Sequence, residues 1–158
     1  MQDATLNDEI LTQFEPQEPV ELTQQLIRIP SFLWQESEVG HWIADWLRQR
    51  DFQVELQEVP LRDGNVTHQA IGTLKGDGSG PSLMLCGHTD TSDWNGRPFR
   101  EAEWQHDPFG GEIEAGMLYG LGAINMKAGV AAILMAAEAV RRSGRPFRGA
   151  LIVACVVA

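Results

Sequence analysis

Leu83-Met84-Leu85-Cys86-Gly87-His88-Thr89-Asp90 is a short apolar run that breaks at a glycine into a histidine and a carboxylate. A continuous apolar run of this length predicts a strand buried on both faces, and the glycine permits a tight exit from it. In layered α/β sheets ligands bind just beyond the carboxyl ends of strands, which is where His88 and Asp90 fall. On an extended backbone the two side chains point to one side. Asp90 can then orient the imidazole of His88 or act on a water beside it. By itself a His-x-Asp pair after a strand is more often structural than functional, so the surrounding sequence has to decide.

On the N-terminal side, Pro19 suits the first turn of a helix whose Leu22, Leu26 and Ile29 share a face, and Ile29-Pro30-Ser31 ends it. Val39, Trp42, Ile43, Trp46 and Leu47 recur at helical spacing and predict a second helix, its two tryptophans reading as core anchors. Phe52, Val54 and Leu56 alternate with polar residues as a strand does. Asn65 to Leu74 is a further strand, closed by the turn-rich Gly76-Asp77-Gly78-Ser79-Gly80-Pro81.

On the C-terminal side, residues 87–111 are polar, irregular and rich in aromatics, and a loop of that length in a compact domain is usually functional. Glu112 to Leu118 predicts a short hairpin arm. Met126 to Arg142 predicts a helix with a stripe of Met126, Val130, Ile133, Leu134 and Ala137, stopped by Gly144 and with Arg141 and Arg142 at its negative end. Asn125 stands where an N-cap is needed. Ala150 to Ala158 is an almost wholly apolar interior strand. The element order predicts an α/β domain with a mixed, largely parallel sheet flanked by helices.

The 158 residues suit one domain, and 43% hydrophobic with 22% charged residues is ordinary globular composition. No apolar run approaches the roughly 20 residues of a membrane-spanning helix, so no membrane is expected as partner. The net charge of −10 argues against nucleic acid, whose phosphates such a surface repels. Asp3, Asp8, Glu9, Glu15, Glu18 and Glu21 precede the first basic residue, Arg28, and residues 1–17 read as a solvated acidic lead-in. Cys86 and Cys155 lie in apolar runs and read as buried structural thiols, which makes cytoplasm the expected location.

Two further stretches bear on function. Trp104-Gln105-His106-Asp107-Pro108-Phe109 precedes Gly116-Met117-Leu118-Tyr119-Gly120-Leu121-Gly122, and Asn125-Met126-Lys127 opens the alanine-rich helix. His106 and Asp107 read as a polar turn beneath a packed aromatic. The ordered set G-H-x-D, W-x-x-D-P-F, G-x-L-Y-G-x-G and N-M-K resembles the acetylornithine deacetylase / succinyl-diaminopimelate desuccinylase family of zinc peptidases and amidohydrolases. The resemblance runs from about residue 18 to the end, and Leu121 is more reminiscent of the acetylornithine deacetylase branch. It implies that residues 18–158 are the N-terminal portion of a zinc-peptidase-like catalytic domain, partial because the family's glutamate motif and later ligands would follow Ala158.

By that resemblance His88 matches the first metal-ligand histidine and Asp90 the catalytic carboxylate that supports it. Asn125 stands where the family has an aspartate bridging two metals. The implied cofactors are two divalent cations, zinc foremost, with cobalt or manganese as alternatives. The implied substrate is a small N-acyl amino acid or peptide whose amide bond is hydrolysed. Two departures matter: a neutral asparagine lacks the anionic bridge that such cations favour, and one histidine is short of the three protein ligands a catalytic zinc usually takes. The chain alone is therefore expected to hold metal weakly or not at all and to be inactive. The alternative reading is a non-catalytic remnant or assembly fragment, self-associating or pairing with a complementary C-terminal fragment through the apolar strand at residues 150–158.

Overall fold

The structure is a computed structural model that describes residues 8–91 and 100–157. The start of the acidic lead-in, residues 92–99 of the long loop and Ala158 at the strand's end lie outside the described residues. Two helices come first, α1 (Gln17–Ile27) and α2 (Ser37–Arg48), then strands β1 (Gln53–Pro60), β2 (Val66–Lys75) and β3 (Leu83–His88). A short hairpin, β4 (Glu112–Glu114) and β5 (Met117–Tyr119), precedes α3 (Ala128–Ser143) and β6 (Ala150–Val156).

The main sheet has the order β1-β2-β6-β3. It is mixed and flanked by helices, as expected, but its parallel share is smaller than the sequence suggested. Pairing is antiparallel between β1 and β2 and between β2 and β6, and parallel only between β3 and β6. The cause is the β1–β2 hairpin, whose turn at residues 61–65 is closed by the Leu61 amide donating to the Asn65 carbonyl over 2.8 Å. A hairpin can only pair antiparallel, whereas β3 reaches β6 through the α3 crossover, which returns the chain in parallel.

The core lies between this sheet and the helices. Leu22 and Leu26 of α1, Val39, Ile43, Trp46 and Leu47 of α2, Val130, Leu134 and Ala137 of α3, and Val153 and Cys155 of β6 are all buried in it. The helical stripes read from the sequence thus face inward, with Trp42, Met126 and Ile133 packed at the margin. Residues 123–143 form a 21-residue helical stretch long and apolar enough, by length and composition, to cross a membrane, contrary to the expectation of no such run. Here the stretch packs as a core helix, which meets the same criterion, and it leaves helical geometry at Asn125 and Met126.

Two expectations for the strands need correction. β3 is not buried on both faces: Leu83 and Met84 are 60% and 55% exposed, and Cys86 is exposed while Cys155 is buried. Among the described residues β3 pairs with β6 alone, so one edge is open and one face thinly covered. Conversely, the strand at the C-terminal end is not an unfinished edge. β6 is bonded to β2 on one side and β3 on the other, with Val153 and Cys155 fully buried. An apolar strand without polar guards sits in the middle of a sheet because that is where both of its edges are satisfied.

Candidate active site

The parallel register sets His88 opposite Val156, at the carboxyl end of β3. The Thr89 amide donates to the Val156 carbonyl over 2.9 Å, which extends the pairing one residue past the strand. From there the chain turns so that His88 Nδ1 lies 2.8 Å from Asp90 Oδ1 and 3.1 Å from the Asp90 carbonyl oxygen. The shared side expected of His88 and Asp90 is therefore found. Asp90 is 8% exposed, and its Oδ1, though close to the ring, is buried without a well-aligned hydrogen bond.

Asn125 completes the group by a route the sequence concealed. Expected as an N-cap, it caps nothing: α3 begins at Ala128, preceded by Lys127, with no side-chain cap. Asn125 has the extended dihedrals φ −130° and ψ 96°, and its Oδ1 lies 3.0 Å from His88 Nε2. The Asn125–Met126 peptide bond is cis. Gly122 makes the approach possible. It has φ +79°, and a Cβ at that position would fall 2.3 Å from Thr91 Cγ2, so only glycine lets the 122–127 segment lie against the Asp90 segment.

The donor chemistry bears on a metal. A neutral imidazole whose Nδ1–H donates to the Asp90 carbonyl oxygen presents a lone pair at Nε2. Nε2 lies 3.0 Å from Asn125 Oδ1, so the amide oxygen either accepts from an Nε2–H or, in the other tautomer, faces the Nε2 lone pair across room for a cation. A carboxylate behind a histidine is also the usual arrangement at metal-ligating imidazoles. His88 and Asn125 thus fit one flank of a divalent-cation site. They do not complete one: among the described residues no group of three or more His, Cys, Asp and Glu is placed to hold a metal ion.

The other singled-out motif serves packing. Asp107 Oδ1 accepts the Phe109 amide over 2.8 Å, and Phe109 meets Phe32 edge-on at 6.0 Å. His106 stacks on Tyr119 at 3.9 Å and lies 2.9 Å from Glu112 Oε2. The polar-turn reading of His106 and Asp107 agrees with these contacts. Trp42 and Trp46, besides packing on the core, line a cleft of about 430 Å³ between the helices with Glu18, Glu21, Asp45 and Arg50. That cleft contains none of His88, Asp90 and Asn125.

Sequence reading assigned no role to Lys127, which is 2% exposed. Its Nζ donates to the carbonyls of Leu26 over 2.8 Å and Ile29 over 2.6 Å. Burial pushes its pKa down to about 8. Ser31, Thr89 and Thr91 are likewise buried polar residues that no periodicity revealed. The available signal was position, since Lys127 closes the N-M-K motif and Ser31 follows the helix-ending proline.

Residues 84–158 match the model of peptidase family M20/M25/M40. This stretch is similar to that family. The chain is 37% identical over 137 residues to a succinyl-diaminopimelate desuccinylase of Methylorubrum extorquens, covering 84% of this chain and 33% of the relative. It is 38% identical over 115 residues to an acetylornithine deacetylase of Proteus mirabilis, covering 68% of this chain and 27% of the relative. Among solved structures, the dipeptidase Dug1p of Saccharomyces cerevisiae superposes with a TM-score of 0.77 at 15% identity, over 95% of this chain and 34% of that one. The resemblance read from the motifs is borne out, and the chain spans about a third of the length of the curated relatives it matches.

Proposed function

We propose that this M20-type chain carries the first portion of the active site of a metal-dependent amidohydrolase that cleaves the amide bond of a small N-acyl amino acid or peptide. The observation that carries the reading is the convergence of three side chains from two segments: His88 Nδ1 at 2.8 Å from Asp90, and His88 Nε2 at 3.0 Å from Asn125. His88 would contribute Nε2 as a ligand and Asn125 its amide oxygen, at the position where the family resemblance implies a bridging aspartate. A divalent cation at such a site polarises the amide carbonyl and acidifies water.

The chain's own residues prepare that chemistry. The Asp90 backbone carbonyl accepts from Nδ1 over 3.1 Å, which favours the tautomer with a free Nε2, and the Asp90 carboxylate stands 2.8 Å from the same nitrogen. Burial of Asp90 keeps the carboxylate in low dielectric, where its influence on the ring is strong. Zinc is the preferred metal for an imidazole-bearing site, with cobalt and manganese as alternatives. The remaining ligands and the general base would come from sequence outside this chain, so the 158 residues alone are proposed to be inactive. Both thiols are free, in keeping with a cytoplasmic setting. The rival reading of an assembly fragment joined through the C-terminal strand loses its ground, since β6 already has a neighbour on each side.

The experiment is Asn125→Asp in the full-length protein. A carboxylate at the bridging position should raise bound metal per chain and N-acetyl amino acid turnover together. Metal analysis and turnover assays on both versions decide it, and equal stoichiometry with equal rates would refute the proposal.

A further inference from the structure

We propose that Ile29–Pro30–Ser31 is a strut holding the two arms of this site in register, with Ser31 and Lys127 as positioning residues. The inference rests on the reading of His88, Asp90 and Asn125 as one site, but its geometry is independent of substrate or metal. One arm is the β3 exit, residues 88–91, which carries His88 and Asp90. Ser31 Oγ donates to the Thr89 carbonyl over 2.7 Å, and the Thr91 amide donates to the Ser31 carbonyl over 2.7 Å. Thr91 Oγ1 adds a bond to the same carbonyl over 3.1 Å. The residues on both sides of Asp90 are thus fastened to Ser31.

The other arm is the 122–127 segment, which carries Asn125. Lys127 closes it by donating its amide to the Gly122 carbonyl over 2.9 Å, while its ammonium reaches the Leu26 and Ile29 carbonyls. The arms therefore meet on the same short piece of chain, Ile29 taking one and Ser31 the other. Pro30 between them has a fixed φ and no amide hydrogen, so the spacing of the two anchors is rigid.

The choice of lysine points the same way. Burying an ammonium is costly without a counter-charge, and no carboxylate pairs with Lys127 among the described residues. An apolar residue would fill the space at lower cost. What only the ammonium supplies is a pair of directed bonds to carbonyls at and just past the negative end of α1, joining Leu26, which also accepts the Ile29 amide, to Ile29. Those bonds set how far the Asn125 segment stands from the His88 segment.

The test is reciprocity across the arms, read by NMR in the full chain with selectively 15N-labelled histidine, asparagine and threonine. Lys127→Met, a change on the Asn125 arm, should shift the His88 ring nitrogens and the Thr89 and Thr91 amides. Ser31→Ala, a change behind the other arm, should shift the Asn125 side-chain amide. Thr23→Val, which removes a buried hydrogen bond elsewhere on α1, should move neither set. Signals that move only on the altered arm, or that move as far in Thr23→Val, would overturn the strut. If Lys127→Met does not fold, Ser31→Ala and its reading at Asn125 decide alone. Zinc titration of the full-length protein adds a second readout, with affinity expected to fall about 10–100-fold in either variant. A full-length wild-type protein that binds no zinc would refute the metal reading above, while the cross-arm shifts still judge the strut.

Discussion

At the scale of single residues, the two cysteines are alike in sequence context and opposite in circumstance. Cys155 faces the core from the middle strand, and burial pushes its thiol up to about 12. Cys86 lies on the edge strand and is exposed. Since the thiolate is the reactive form, alkylation of the folded chain at pH 8 should modify Cys86 alone, with Cys155 reacting only in denaturant. Mass spectrometry after iodoacetamide treatment reads this directly, and early modification of Cys155 would mean that β6 is not shielded. Asn125 offers a similar contrast. Its residue type favours a helix cap, but the non-helical backbone at 125–126 turns the side chain to His88 instead.

At the scale of elements, the C-terminal end of α3 is tied to α1 by charge. Glu138 is 2% exposed and receives Arg141 Nε at 2.7 Å and Arg142 Nε at 2.7 Å, while Arg142 also grips Glu18 at 2.7 Å. Burial alone would push the Glu138 carboxyl up, but the arginine bonds outweigh it and hold the group below its ordinary value of 4.5. A carboxylate depressed on folding stabilises the protein above its unfolded pKa and loses that contribution as pH falls through the folded one. Glu138→Gln should therefore destabilise the chain by about 1.5–3 kcal/mol at pH 7, the worth of hydrogen bonds to charged groups. The gap to wild type should narrow as pH drops below about 4.5, where wild type also loses the charge. Urea unfolding at neutral and acid pH checks both parts, and a gap independent of pH would show that the ionised form is not what matters.

At the scale of the whole molecule, the sheet order separates two strands that look equivalent on paper. Val153 on β6 is fully buried between β2 and β3, whereas Leu83 on β3 is 60% exposed. Lysine at 153 has to bury an unpaired charge and should cost more than about 4 kcal/mol, the range of severe core lesions. Lysine at 83 should stay within about 0.5 kcal/mol of wild type. Chemical denaturation of Val153→Lys and Leu83→Lys compares them, and equal losses would contradict the order β1-β2-β6-β3. The exposed Leu83 and Met84 also mark the open edge of β3, not β6, as the place where this sheet can accept a further strand.

What the sequence determined by itself was whatever depends on local period or ordered motif. The stripes of α2 and α3 follow from 3.6-residue spacing, the helix stop at Gly144 from glycine's tolerance of left-handed backbone, and the family resemblance from G-H-x-D, W-x-x-D-P-F, G-x-L-Y-G-x-G and N-M-K in order. His88 and Asp90 were readable as a pair because they are two residues apart on extended chain. Only the tertiary structure decided what depends on partners distant in the chain. It placed β6 at the centre and β3 at an edge, because strand order follows from the hairpin and the α3 crossover, not from the hydrophobicity of either strand. It set the Asn125 side chain against His88 and not at a helix start, because Gly122 lets its segment approach Thr91. It also gave Lys127 its place, since the carbonyls that hold it belong to Leu26 and Ile29, about a hundred residues earlier.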